Sequence, residues 1–428
     1  MSHPVYKLAI IGFGTVGEGV YQTLLKKSEK IAAILGRPIT IPFVLVKDQL
    51  RMRNVSSITK ITHSFSDILD ESNLDVVVEA TPDASTAYPY VTKLLEKSIS
   101  VISANKELIA KHGEELHKLA KENDCQLLYE AAVAGGIPLL NTLRHTLKTN
   151  SIQKLEGILN GTSNFILTKM REEASSFEVA LAEAQENGYA EAIPDKDVDG
   201  WDAYYKTCIL SQWIFGCSPV WNSEKPVGIR EVDAIDISLA ENLKARIKHV
   251  ASLQKVENCV RASIQPTLVF EGHPLYSVED VNNGIYIEGS IVGPVTLQGP
   301  GAGKYPTSSA VVEDVVNFLS ERNEPSLPKG IQFLKDGFED SDSSFQEKPN
   351  LFFLTAPNGL SNHLTTMGFD VIKSVVQLGK KYGALVTSGS TKLERIKTLC
   401  NELEIQVYPV LLGKNDSVEK YYFKEKAI

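Results

Sequence analysis

The chain has 428 residues, 43% of them hydrophobic and 23% charged, a balance that supports two to four packed cores. Its formal net charge of -9 argues against nucleic acid or a membrane surface as partner, because both need a basic face, and points instead to a small-molecule substrate. No apolar run reaches the roughly 18 residues of a membrane span and the first residues do not read as a secretory leader, so a cytoplasmic location is expected. Cys125, Cys208, Cys217, Cys259 and Cys400 are widely spaced without a C-x-x-C pair. They are expected to be buried apolar side chains rather than disulfide partners or zinc ligands.

From the N-terminus, short β-rich runs at 7–11, 41–46, 75–79, 100–102 and 126–129 alternate with helical stretches, the pattern of a doubly wound parallel sheet. Several runs are continuously apolar, as in Val76-Val77-Val78, which suits strands covered on both faces. Gly12-Phe13-Gly14-Thr15-Val16-Gly17 directly follows the first run and opens a helical pattern over 18–27. That is the setting in which a G-x-G-x-x-G loop holds a dinucleotide pyrophosphate, with glycines for the tight turn, the close backbone approach and the helix-to-strand packing. After the second strand, Lys47, Arg51 and Arg53 surround a single Asp48. This basic excess favours a ribose 2′-phosphate, hence NADP over NAD.

From about residue 151 the strands lengthen and alternate in polarity, and two helical patterns appear at 178–187 and 201–215. An α+β domain with a mainly antiparallel sheet is expected. A helix over 308–319 follows the turn Gly299-Pro300-Gly301-Ala302-Gly303. Residues 321–349, rich in Pro, Ser and charge, read as a linker. Beyond them, strands at 351–355, 371–378, 384–388 and 405–412 with helices at 362–367 and 392–403 give a ferredoxin-like βαββαβ order.

The segment from Gly188 to Lys206, GYAEAIPDKDVDGWDAYYK, is dense in carboxylates and runs into the 201–215 helix. On a helical wheel Asp202, Lys206, Ile209 and Trp213 share one stripe, while aromatic and aliphatic residues cover most other directions. A solvated Asp/Lys pair at this spacing contributes about 0.3–0.5 kcal/mol. On a helix expected to be largely buried, the ammonium must be paired and its proton affinity is readily tuned, which makes Lys206 a candidate proton donor. Glu191 and Asp197 offer acceptors for a substrate ammonium or hydroxyl.

Taken together, GFGTVG (Gly12 to Gly17), SANK (Ser103 to Lys106), EAAVAGGIP (Glu130 to Pro138), GILNGTSNFILTKM (Gly157 to Met170), the Gly188 to Lys206 segment, QPTL (Gln265 to Leu268) and the residues from Gly299 to Asp314 resemble the homoserine dehydrogenase family. They run in the family's order over about 320 residues. The resemblance implies reversible NAD(P)-linked hydride transfer between homoserine and aspartate 4-semialdehyde, a step toward threonine and methionine. It further implies Lys206 and Lys106 as catalytic residues and Gly188, Glu191, Asp197 and Asp202 as the substrate site. Gly12, Phe13, Gly14, Thr15, Val16, Gly17, Lys47, Thr81, Ser103, Lys106 and Gly303 would meet the dinucleotide. A sodium ion would lie near Glu130, Val133, Gly135 and Ile137, held mainly by main-chain oxygens.

The implied architecture is a Rossmann domain over 1–140 completed by 305–320, a substrate-binding and dimerisation domain over 141–304, the linker, and an ACT-like regulatory domain over 350–428. A homodimer is implied, and the ACT resemblance makes threonine a candidate effector at the loop Ala356-Pro357-Asn358-Gly359-Leu360. The chain departs from the family at Ile193, where an Asp is usual, and at Thr81-Pro82-Asp83, where a Gly-Gly pair is common. Two alternatives are a sugar or inositol oxidoreductase of the glucose-fructose oxidoreductase type, suggested by Ala80-Thr81-Pro82-Asp83, and a sensing paralogue that kept the fold and lost activity. Asn105-Lys106-Glu107, in place of a Glu-Lys-Pro, weighs against the first, and retention of both lysines against the second.

Overall fold

The computed structural model describes residues 5–48, 51–223, 225–257, 259–321, 350–357, 369–378, 381–388, 405–413 and 416. These fall into two compact units, one within 1–151, 205–218 and 299–335, the other within 152–204, 219–298 and 336–428.

In the first unit, β1 (Tyr6–Ile11), β2 (Ile39–Thr40), β3 (Phe43–Leu45), β4 (Lys60–Thr62), β5 (Val76–Glu79), β6 (Ser100–Ser103) and β7 (Leu127–Leu128) pair in parallel throughout. The order is β4-β3-β1-β5-β6-β7, with β2 added to β1. Every residue of β5 and β6 is buried, which is why these segments read as unbroken apolar runs instead of alternating ones. Helices α1 (Thr15–Lys26), α2 (Ser28–Leu35), α3 (Phe65–Leu69), α4 (Ala84–Glu96), α5 (Lys106–Glu122) and the single turn α6 (Leu139–Asn141) complete the N-terminal part. The strand order reverses between β1 and β5, so their carboxyl ends flank the crevice where doubly wound sheets bind ligands.

The second unit is built on a ten-stranded mixed sheet. Its strands are β8 (Ile152–Ile158), β9 (Val220–Trp221), β10 (Ala245–Val256), β11 (Cys259–Phe270), β12 (Asn282–Gly289), β13 (Gly293–Pro300), β14 (Asn350–Pro357), β15 (Phe369–Leu378), β16 (Lys381–Ser388) and β17 (Gln406–Leu411). They run in the order β13-β12-β8-β10-β11-β17-β14-β16-β15, with β9 beside β11. The β10–β11 hairpin is paired from Ala245 opposite Phe270 to Val256 opposite Cys259 and forms the spine of the sheet. The four C-terminal strands do not stand apart: β17 pairs in parallel with β11 through Leu268 opposite Val410 and Val269 opposite Leu411, covering an edge that each sheet would otherwise expose. Helices α7 (Gly161–Glu173), α8 (Phe177–Glu186), α9 (Asp195–Val198) and α11 (Ala234–Glu241) belong to this unit, and α10 (Trp201–Phe215) begins in it and from Tyr205 belongs to the first. Phe165, Ile166 and Met170 of α7 share a core with Leu239 of α11, Leu268 of β11 and Phe353 of β14.

After β13 the chain contributes α12 (Lys304–Glu321) to the first unit. Ser308 on α12 sits so close to α1 that a Cβ on Gly19 would lie 2.2 Å from its hydroxyl oxygen, and Val311, Val315 and Leu319 share a core with β1 and α1.

Two expectations need correction. Among the described cysteines none is fully buried, and Cys217 is exposed because it follows α10 in the turn begun by Gly216, whose φ is +67°. The α10 helix is buried along one face only: Asp202, Lys206, Ile209 and Leu210 are inside, whereas Trp201, Tyr204, Tyr205 and Trp213 are half-buried. Its aromatic rings partition between ring contacts and solvent, as amphipathic rings commonly do. The helices expected at 362–367 and 392–403, the linker after residue 321, Cys400 and the loop residues Asn358 to Leu360 lie outside the described residues.

Candidate active site

The glycine loop joins β1 to α1, and each glycine has a separate steric reason. Gly12 has φ +89°, and a Cβ there would come within 2.5 Å of the Ala80 carbonyl oxygen at the end of β5. A Cβ on Gly17 would lie 2.0 Å from the Gly12 carbonyl oxygen, so no side chain fits between helix and turn. Gly14 differs, because a Cβ there would meet nothing within 4 Å. It is the N-cap of α1 and gives that helix no side-chain cap. An open position at an uncapped helix start, where N–H groups and the helix dipole favour negative charge, suits a pyrophosphate. Thr15 is exposed and Val16 half-buried beside it, while Phe13 turns inward and meets Tyr21 edge-on at 5.5 Å.

A second cluster lies at the carboxyl ends of β5 and β6. Glu79, the last residue of β5, is fully buried and accepts from Thr81 N at 2.6 Å, Thr81 Oγ1 at 2.5 Å and Ser103 Oγ at 2.6 Å. Burial pushes its carboxyl above the usual range, and the bonds from Ser103 and Thr81 pull in the opposite direction. Ser103 Oγ also accepts from Asn105 N, so this hydroxyl works inside the fold. Asn105 caps α5 by accepting from Leu108 N and donates through Nδ2 to the carbonyls of Thr81 and Asp83. Lys106, the first residue of α5 and half-buried, is thereby fixed relative to the Thr81 loop. Sequence reasoning missed Glu79 because it closes an apolar run whose buried carboxylate is satisfied only by residues brought from the next loop and strand.

Lys47 and Arg51 are exposed, and Arg53 donates from one terminal nitrogen to the carbonyls of Asp48 and Arg51, both at 2.7 Å, which ties back the basic loop after β3. Gly303, exposed with φ +119°, lies just ahead of α12.

In the second unit the carboxylate-rich segment is organised by the first turn of α7. Asn160 Nδ2 donates to Asp197 Oδ1 and to Asp202 Oδ2, both at 2.8 Å, while its Oδ1 accepts from Ser163 N at 2.7 Å. Ser163 Oγ donates to the Asp197 carbonyl and Thr162 Oγ1 to the Tyr189 carbonyl. His249 on β10 lies under Gly200, bonded through Nε2 to the Val227 carbonyl at 3.0 Å, and burial lowers its pKa to about 4, so the ring is neutral at pH 7. Asp202 is 3% exposed and Lys206, one turn further along α10, 7% exposed. Gly188 has φ +74° and open space around it, and Glu191 is exposed with its carbonyl held by Gln185 Nε2. Ile193 is 77% exposed, so its departure from the family's Asp lies on the surface of this turn.

The segment after β7 is rich in buried oxygen. Glu130 accepts through its two carboxylate oxygens from Leu140 N and Asn141 N, and Asp314 on α12 accepts from Glu130 N and Asn141 Nδ2. Burial, with the Asp314 charge adding to it, raises Glu130 to about 7, and burial raises Asp314 to about 6. No group of three or more His, Cys, Asp or Glu side chains among the described residues is placed to hold a metal ion. Each Glu130 oxygen accepts one backbone N–H, and the Ile137 carbonyl accepts from Leu139 N at 2.8 Å, so a cation here would use the remaining lone pairs of the Val133, Gly135 and Ile137 main-chain oxygens with Glu130 beside them. This all-oxygen donor set, beside two buried carboxylates, fits a hard ion such as sodium.

Comparison with known proteins agrees with this geometry. Family models described as homoserine dehydrogenase and as the homoserine dehydrogenase NAD-binding domain match residues 138–316 and 12–130. The chain is 38% identical over 327 residues to the homoserine dehydrogenase of Lactococcus lactis subsp. lactis (strain IL1403), covering 76% of each chain. Over 365 residues it is 37% identical to that of Bacillus subtilis (strain 168), covering 81% of this chain and 84% of the relative. Among solved structures, a homoserine dehydrogenase from Thiobacillus denitrificans superposes with a TM-score of 0.84 at 29% identity, covering 95% of this chain and 98% of the other. A hyperthermophilic archaeal homoserine dehydrogenase in complex with NADPH gives a TM-score of 0.64 at 29% identity over 76% of this chain and all of that one.

Proposed function

The chain belongs to the homoserine dehydrogenase family, and from that premise we propose how its residues divide the family's reaction, the reversible nicotinamide-linked interconversion of homoserine and aspartate 4-semialdehyde. When bound, the coenzyme supplies the two-electron acceptor for the hydride that leaves the alcohol carbon. The backbone of Gly12 to Gly17 holds the pyrophosphate, and Thr81, Ser103 through its main chain, Lys106 and Gly303 border the coenzyme. Lys47 and Arg51 receive a ribose 2′-phosphate, making NADP the preferred form. Their exposure and the NADPH of the archaeal relative support that preference.

Asp202, Asp197 and Glu191 take the substrate's ammonium and hydroxyl by charge-assisted hydrogen bonds, with the Gly188 backbone beside them. Lys206 exchanges the proton of the reacting oxygen, accepting it as homoserine is oxidised and returning it as the aldehyde is reduced. Lys106 supports the negative charge that develops on that oxygen. Main-chain oxygens of Val133, Gly135 and Ile137 hold a sodium ion that orders the segment after β7. The observation that carries the assignment is α10, which keeps an acid and a base inside the protein one turn apart, the acid already fixed by Asn160.

The test is homoserine oxidation with NADP and with NAD, wild type against Lys206→Ala. Turnover of the variant should fall by about 10²- to 10⁴-fold, the usual worth of a positioned acid or base. A wild type inactive with both coenzymes, or an active Lys206→Ala, would sink the assignment.

A further inference from the structure

Asn160 has so far been described as a contact; its chemistry assigns it more. A primary amide has one acceptor oxygen and two N–H donors. In Asn160 the oxygen is committed to the N-terminus of α7, where it accepts from Ser163 N, which leaves the NH2 group facing away from the helix with a fixed orientation. Its two hydrogens go to two carboxylates that lie five residues apart in the chain, Asp197 after α9 begins and Asp202 on α10. The Asn160 side chain is buried, and so is its bond to Asp202, while Asp197 is half-buried. The same turn of α7 also holds the carbonyls of Tyr189 and Asp197 through Thr162 and Ser163, so three residues of one helix start fasten the 189–202 segment at four points.

We infer that Asn160 is a positioning residue for substrate binding: its amide clamps the Asp197 and Asp202 carboxylates in one relative orientation and neutralises part of their mutual repulsion. The inference rests on the reading that these two acids hold homoserine. Two carboxylates this close repel each other and favour sharing a proton, which would blunt their hold on an ammonium. A neutral double donor between them holds both in the ionised form without adding a charge of its own. An ammonium or guanidinium in its place would do so by cancelling the charge that the substrate needs.

The helix cap and the clamp use opposite ends of the same amide, so they can be separated. Ser and Asp are both good N-caps, hence Asn160→Ser and Asn160→Asp keep α7 started while removing the two donors. Asn160→Asp further adds a third carboxylate. The expected result is a homoserine KM raised by about tenfold in Asn160→Ser, the worth of one hydrogen bond to a charged group because the acids are loosened rather than lost, and by about a hundredfold in Asn160→Asp, where the third carboxylate repels the other two. The KM for the coenzyme should stay within about twofold of wild type in both, and kcat should fall less than the homoserine KM rises.

A purely structural role predicts the reverse, with the homoserine KM unchanged wherever the cap survives. Unchanged values in both variants, beside a raised homoserine KM in Asp202→Asn, would overturn the inference and leave the reading of the acids standing. An unchanged homoserine KM in Asp202→Asn would remove that reading and the inference with it. Failure of both cap-preserving variants to fold would also overturn it, because the amide would then be a requirement of folding.

Discussion

The two units solve the problem of holding a polar ligand in opposite ways. In the first, the glycine loop contributes almost no side chains: it presents backbone, removes Cβ atoms where Gly12 and Gly17 touch their neighbours, and leaves Gly14 open. In the second, the polar chemistry consists of carboxylate side chains, the buried Asp202 and the half-buried Asp197, held by an amide 42 and 37 residues away in sequence. Backbone geometry is a local property, whereas the satisfaction of a buried charge is a property of the whole fold. The first kind of site should therefore fail sterically and locally when altered, and the second electrostatically.

Acid acts on the two units differently, and it carries the largest expected effect. His249 on β10 is buried and His117 on α5 half-buried, and desolvation holds each near pKa 4, against an ordinary value of 6.5. In the first unit Glu130 and Asp314, raised to about 7 and about 6, take up protons in the folded state first and oppose the His117 contribution. Because each histidine's folded pKa lies below its unfolded one, the unfolded chain takes up its proton first as pH drops. Stability is fully present above about 6.5, declines between about 6.5 and 4, and levels off below. The loss is roughly 3 kcal/mol for each histidine, at about 1.4 kcal/mol per pKa unit. Denaturant titrations of wild type and His249→Gln at pH 7 and pH 5 isolate the second unit's share: the stability lost on going to pH 5 should be smaller in the variant by about 2 kcal/mol. A loss unchanged by that substitution would place the acid sensitivity elsewhere.

The next perturbation separates steric from ligand effects within the glycine loop. Gly17→Ala forces a Cβ to 2.0 Å from a backbone oxygen that has no room to move, and should destabilise the first unit by about 3 kcal/mol, the upper end of overpacking. Gly14→Ala adds the same methyl group where nothing lies within 4 Å and where φ is -81°, so the thermal midpoint should not move. Its effect should appear only as a coenzyme KM raised about tenfold, because the methyl occupies space the pyrophosphate needs. Equal midpoints for the two variants, or an unchanged coenzyme KM in Gly14→Ala, would contradict the division of labour between these glycines.

How much of this was legible in the sequence follows the same divide. The glycine loop, the parallel strands around it and the bounds of α10 could be read directly, because turn chemistry and hydrophobic period act over a few residues. The β10–β11 hairpin escaped, since Lys248, His249 and Thr267 are buried polar residues that break the expected alternation, and the first two find their partners elsewhere in the fold. Glu79 and Asn160 escaped for the same reason: each sits in an apolar or turn-like context and acquires its role only from Thr81 and Ser103, or from Asp197 and Asp202. Resemblance to a family located the acids and Lys206, but the arrangement that holds Asp197 and Asp202 required the structure.

The smallest expected effect concerns the exposed charged side chains of the first unit, and it sharpens the comparison. Lys47 and Arg51 are exposed at the end of the β3 strand, and Arg53 is occupied with the Asp48 and Arg51 carbonyls. An exposed lysine meeting a phosphate is a screened point charge, unlike the buried acids of the second unit. Lys47→Ala should therefore lower kcat/KM with NADP by about tenfold, leave NAD turnover and the thermal midpoint unchanged, and lose most of its effect at high salt. An equal loss with both coenzymes would mean that Lys47 contacts the part they share. If salt failed to diminish the effect, the Lys47 contact would be desolvated, and the first unit would then rely on a buried charge just as the second does.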